Sequence, residues 1–118
     1  MRLITPLLEI QNQLRIFHWQ TSSYAQHKAF GKAYESLDSL IDGFVEVFIG
    51  KYGRTKASIK YSIELSNFDD DYLTVIDSYI SYLNALTGEL KDIDTDLLNI
   101  RDEMLATLNR LKYLLTLN

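Results

Sequence analysis

Apolar residues recur along most of this chain at the spacing of one helix face. Leu3, Leu7, Ile10, Leu14 and Phe17 follow one another at intervals of 4, 3, 4 and 3, the rhythm of an amphipathic helix. Thr5 and Pro6 supply a capping side chain and then a residue suited to the first helical position, so the first helix is predicted to begin there. The polar run Gln20-Thr21-Ser22-Ser23 ends it. Phe30, Tyr34, Leu37, Ile41, Phe44 and Phe48 predict a second helix from Ala25 to Tyr52, closed by Gly50 and Gly53, because glycine readily takes the conformations that stop a helix.

The pattern then changes. Ile59, Tyr61, Ile63 and Leu65 alternate with Ser58, Lys60, Ser62 and Glu64, and a period of two predicts an extended run that lays an apolar side against the protein. Asn67 or Asp69 is the expected cap of a third helix, with Asp70 and Asp71 in its first turn, where carboxylates favour the helix dipole. Leu73, Ile76, Ile80, Leu83 and Leu90 carry its stripe, and Gly88 and the charged stretch Lys91 to Asp94 end it. Leu97, Ile100, Met104, Leu108, Leu111 and Leu115 predict a fourth helix over Thr95 to Leu117.

Four such helices predict one all-α domain over residues 1–118, a four-helix bundle. The connections within the first and last pairs are short, so each pair is an antiparallel hairpin. The middle connection is long enough to cross the bundle from end to end. One long crossover between the second and third helices is the ferritin-like arrangement.

Composition narrows the chemistry. With no cysteine among 118 residues, disulfides and thiolate sites are excluded, and any metal must be held by nitrogen and oxygen. The balance of 12 basic and 16 acidic residues gives a net charge of −4, with no basic block at either end, which argues against DNA binding. No apolar run is long enough to span a membrane, and the first residues lack the pattern of a signal peptide, so a soluble, cytoplasmic protein is expected.

Both histidines and the one tryptophan fall within FHWQTSSYAQHKAF, Phe17 to Phe30. His27 shares a side of the second helix with Asp42 and Glu46, which sit about 60° and 100° around from it. His27 and Asp42 are 15 residues apart, roughly 22 Å along a helix, so they cannot bind one ion within a single chain. An antiparallel two-fold partner would bring the histidine end of one helix to the carboxylate end of the other and build two identical sites.

The segment HWQTSSYAQHKAFGKAYESLDSLIDGFVEVF resembles the signature of the Dps mini-ferritins: HW, a second His, an Asp fifteen residues later and a Glu four beyond that. The likeness spans Leu7 to Arg54. It implies a ferritin-like bundle that oxidises and stores iron and protects against oxidative stress. By this resemblance His18 and His27 of one chain and Asp42 and Glu46 of its neighbour hold one or two iron ions per inter-subunit site, cycling between Fe²⁺ and Fe³⁺. Trp19 matches the tryptophan beside that site, either as an electron donor or as packing at the helix end. The implied partner is the chain itself, as a two-fold homodimer that the family extends to a twelve-subunit shell. The chain departs from the family at Gly31, where an acidic residue usually helps hold a second iron, and it lacks the basic N-terminal tail that some members use on DNA. The alternative is a non-catalytic helical interaction module that keeps the fold and uses its acids in salt bridges.

Overall fold

The computed structural model describes residues 3–117. It contains four helices, α1 (Ile4–Gln20), α2 (Tyr24–Tyr52), α3 (Tyr72–Glu89) and α4 (Thr95–Leu114), and no strand among the described residues. The periodic stripes form the core. Ile10, Leu14 and Phe17 meet Phe30, Leu37 and Phe44 from α2, Ile76 and Leu83 from α3, and Leu97, Met104 and Leu108 from α4, all fully buried. Among the described residues no helix is long and apolar enough to cross a membrane.

The helix ends show where local signals held and where tertiary contacts overrode them. The first helix starts at Ile4, with Leu3 as its uncapped N-cap, so Thr5 and Pro6 lie inside the first turn and not at its threshold. Proline costs nothing there, because the first four amides have no partner within the helix. For α2, Ser23 is the N-cap and accepts the Gln26 amide at 3.2 Å, while Gly53 ends the helix at φ 92°, a left-handed backbone that favours glycine. The third helix corrects the expected cap. Residues 68–71 form a turn, and Asp71, left-handed at φ 59°, accepts the Thr74 amide and hydroxyl at 3.3 and 2.7 Å. The turn is set by Phe68, whose ring stacks on Tyr72 at 4.5 Å and meets Phe17 and Phe30 edge-on.

Around the bundle, α1 packs on α2, α2 on α4, α4 on α3, and α3 on α1. The end of α2 meets the start of α4 through Lys51, Tyr52 and Asp94, so those helices are antiparallel, and the diagonal pairs run parallel. The buried Arg101 of α4 holds α3 by donating to the Leu83 carbonyl and the Thr87 hydroxyl at 2.9 and 2.8 Å. Residues 53–71 climb from the bottom of α2 to the top of α3 along α1. Glu9 accepts the Glu64 amide. Gln13, 1% exposed, accepts the Ser66 amide at 2.6 Å and donates to its carbonyl at 2.8 Å, and Gln20 accepts the Phe68 amide at 2.7 Å. From Glu9 to Gln13 a helix rises about 6 Å, and two extended residues cover about 6.6 Å. Between a bend at residues 58–59 and the turn at 68–71 the crossover is therefore extended, as its alternation predicts. Its apolar side does not cover the protein, however: Ile59 is 91% exposed, and Tyr61 and Leu65 are exposed as well. A period of two reports two unlike faces; which face is covered depends on the neighbours.

Candidate functional site: a reciprocal histidine pair

The link between α1 and α2 is three residues, Thr21-Ser22-Ser23, and its polar atoms are absorbed locally. The Thr21 amide bonds the Phe17 carbonyl, and the Thr21 hydroxyl donates to Gln26 at 2.6 Å and accepts the Ser23 amide at 3.2 Å. His18 and His27 sit symmetrically about this turn and face each other. Their rings stack with centroids 3.7 Å apart and planes 17° from parallel.

Each ring bonds the other residue's backbone. His18 Nδ1 lies 2.6 Å from the His27 carbonyl oxygen, and His27 Nδ1 lies 2.9 Å from the His18 carbonyl oxygen. A carbonyl only accepts, so each Nδ1 carries the proton, and in a neutral ring Nε2 then holds the lone pair. No hydrogen bond engages either Nε2 among the described residues. The His18 carbonyl belongs to the last turn of α1, where no helix amide reaches it, so the His27 ring supplies the missing donor.

Gly31 makes the arrangement possible. A Cβ placed there would lie 2.9 Å from His18 Cε1 and 3.1 Å from Nδ1, inside normal contact distance. The position that resemblance would fill with an acid is thus occupied by the edge of an imidazole. Tyr34 meets His18 edge-on at 5.3 Å, and the Arg15 guanidinium covers the Tyr34 ring at 4.7 Å while pairing with Asp38 at 2.6 Å. The other Asp38 oxygen is buried with no partner among the described residues. Neither the role of Gly31 nor the Arg15–Asp38 pair was legible from the chain, since both depend on which faces of α1 and α2 meet.

Asp42 and Glu46 are exposed further down α2, and no ion pair among the described residues engages them. Trp19 is 67% exposed, so most of its surface is left uncovered by its own chain. Among the described residues no group of three or more His, Asp or Glu converges to hold a metal ion. One chain brings together the two histidines and leaves the two carboxylates apart from them.

At the other end of α2, Asp94 is buried and receives the Lys51 ammonium at 2.7 Å, the Tyr52 hydroxyl at 2.6 Å and the Lys91 amide at 2.9 Å. The Lys51 ammonium, with help from the Tyr52 hydroxyl, holds the Asp94 carboxyl down to about 2. Asp94 is the N-cap of α4 but gives its side chain to α2 and not to its own helix. This cluster joins the helices and has no open coordination.

The chain is 29% identical over 114 residues to an uncharacterized 14.6 kDa protein from the mobD-ri intergenic region of Enterobacteria phage T4, an alignment covering 94% of this chain and 83% of the phage protein. No solved structure matches the chain significantly. Residues 18–115, which run from the first histidine of the pair almost to the end of α4, match the family of unknown function DUF5856, and the chain belongs to that family.

Proposed function

We propose that this protein binds ferrous iron and oxidises it at sites shared between two copies of the chain, as its Dps-like ligand pattern implies. His18 and His27 of one copy would face Asp42 and Glu46 of the other, with Trp19 alongside. The observation that carries this reading is the reciprocal pair: two imidazoles whose Nδ1 protons are committed to carbonyls and whose Nε2 atoms are left as ligands. Backbone bonds of this kind fix the tautomer and orient the rings of ligating histidines. The two carboxylates support it because they are exposed on the same helix and in no ion pair among the described residues, available to a neighbour.

The ring geometry limits how iron fits. An imidazole lone pair lies in the ring plane, and with the planes stacked at 3.7 Å a single ion cannot lie in both. The pair as it stands offers one nitrogen to each of two ions; sharing one ion requires a ring to turn out of the stack. Mixed imidazole and carboxylate ligation suits Fe²⁺, and carboxylate oxygens favour the Fe³⁺ product of electron loss to peroxide or dioxygen. A purely structural pair is the second reading, because the same two hydrogen bonds latch the α1–α2 hairpin.

The decisive experiment is complementation between two variants. His27→Ala and the double variant Asp42→Asn/Glu46→Gln should each fold and each lose Fe²⁺ binding and oxidation. A mixture regains activity, because a mixed dimer carries one site with both histidines and both acids intact. Wild-type protein that binds no Fe²⁺, or folded dimeric variants whose mixture stays inactive, would overturn the shared-site reading.

A further inference from the structure

We infer that the crossover is a self-pairing edge: residues 59–65 of two copies join as an antiparallel two-stranded ribbon about a dyad at Ser62. The pairing needs no metal and does not depend on the histidine reading.

The first observation is backbone parity. In an extended chain, successive residues direct their N–H and C=O groups to opposite edges. Glu64 and Ser66 turn theirs toward α1, where Glu9 and Gln13 accept or donate. The chain bends at residues 58–59 and runs on without a turn to 67, so residues 61, 63 and 65 must present theirs on the opposite edge. None of those groups is hydrogen-bonded among the described residues. An open edge of this kind is a template for another strand.

The second observation is that the segment complements itself in one register. Pairing about Ser62 sets Lys60 opposite Glu64 of the second copy, and Glu64 opposite its Lys60. On the other face Tyr61 meets Ile63, and Ile59 meets Leu65. Aromatic with β-branched and opposite charges are the favourable cross-strand pairs. Parity and register agree, because the pair Tyr61–Ile63 is then a hydrogen-bonded one, made from residues whose backbone groups are free, while Ile59, at the bend, brings its side chain beside Leu65. The two-fold also pairs Ser62 with itself at a non-hydrogen-bonded position, and Lys60 with Glu64 likewise. This accounts for the exposure of Ile59, Tyr61 and Leu65 in the single chain: they would lie beside apolar neighbours from the second strand. A second copy is the occupant because its own Lys-x-Ser-x-Glu, laid antiparallel, matches the charge order.

Opposed residues in a non-hydrogen-bonded antiparallel pair have Cα atoms about 4.5 Å apart, within the span of a disulfide. The chain has no cysteine, so Ser62→Cys gives a clean test. With EDTA present and mild oxidant, Ser62→Cys should form a covalent dimer, and Ser58→Cys, whose opposite position is Ser66, should not. Lys60→Glu places two like-charge pairs in the ribbon and should weaken reversible dimerisation, read by sedimentation, about ten-fold. Lys60→Glu/Glu64→Lys restores both pairs and should recover the wild-type value. A wild type that stays monomeric to about 1 mM, a Ser62→Cys variant that cross-links no faster than Ser58→Cys, or a double variant as weak as the single one would overturn the proposal. Circular dichroism on each variant confirms that the bundle is folded where the comparison is made.

Discussion

Two glycines of α2 offer a matched test of the histidine pair. In a helix interior, Gly→Ala normally stabilises by about 1 kcal/mol. Beyond its own chain neighbours and the surrounding helix backbone, Gly43 has no atom within 4 Å of where its Cβ would go, so Gly43→Ala should show that full gain. At Gly31 the new methyl would sit 2.9 Å from His18 Cε1 and push the ring off its position. That motion breaks the 2.6 Å bond to the His27 carbonyl and the 3.7 Å stack, worth about 0.5–1.5 kcal/mol each. Gly31→Ala should therefore range from neutral to destabilised by about 2 kcal/mol, and should fall about 1–3 kcal/mol below Gly43→Ala. At about 4 °C per kcal/mol for a domain of this size, the two melting temperatures should differ by about 4–12 °C. Thermal unfolding followed by circular dichroism measures the gap. Nitrogen-15 correlation spectra of the imidazoles report whether Nδ1 still carries the proton. If Gly31→Ala melts with Gly43→Ala and the histidine signals are unchanged, the ring is not wedged over Gly31, and the account of how the pair is held is wrong.

Two further outcomes follow from the packing. Gln13→Ala leaves the Ser66 amide and carbonyl without their partner; it should cost about 1–3 kcal/mol, with faster hydrogen exchange at Ser66 while Leu14 stays protected, and unchanged exchange at Ser66 would refute it. The Asp94 carboxyl titrates at about 2 in the fold and near 3.9 in an unfolded chain. A folded-state value below the unfolded one stabilises in full above about pH 4 and is lost as pH falls toward 2. Urea midpoints should therefore show the gap between wild type and Asp94→Asn closing across that window, and a gap that stays constant down to about pH 2 would show that Asp94 is not held by Lys51.

Much of the architecture was readable from residue spacing because each helix has one dominant apolar stripe. Leu7, Ile10, Leu14 and Phe17 are buried where their intervals placed them, and so are Leu97, Met104, Leu108 and Leu111. The ends were less readable. Asn67, Asp69, Asp70 and Asp71 are all able to cap, and the choice of Asp71 was made by Phe68 stacking on Tyr72, a contact between residues whose partners lie in α1 and α2. The meeting of His18 and His27 was foreshadowed by a nine-residue spacing across a polar turn. Their exchange of backbone bonds was not, because it requires the two helices to approach over a glycine. The exposure of Ile59 had no local signal at all, since alternation is blind to which side has a neighbour.

The crossover has a consequence for how the chain reaches its fold. Among the described residues, the backbone amides of residues 54–63 carry no hydrogen bond, while α1 with α2 and α3 with α4 are each joined by a few residues. The protein is in effect two helical hairpins on a tether. What the tether contributes is proximity: a flexible link of this length holds its two ends at an effective concentration of the order of millimolar. Lengthening it alters the closure entropy only logarithmically. Register between the hairpins is then shared between the packing of α4 on α2, with Lys51 and Tyr52 on Asp94, and the points where the tether is tied down, Glu9, Gln13 and Gln20, three side chains on one helix that help set how far along α1 the second hairpin docks.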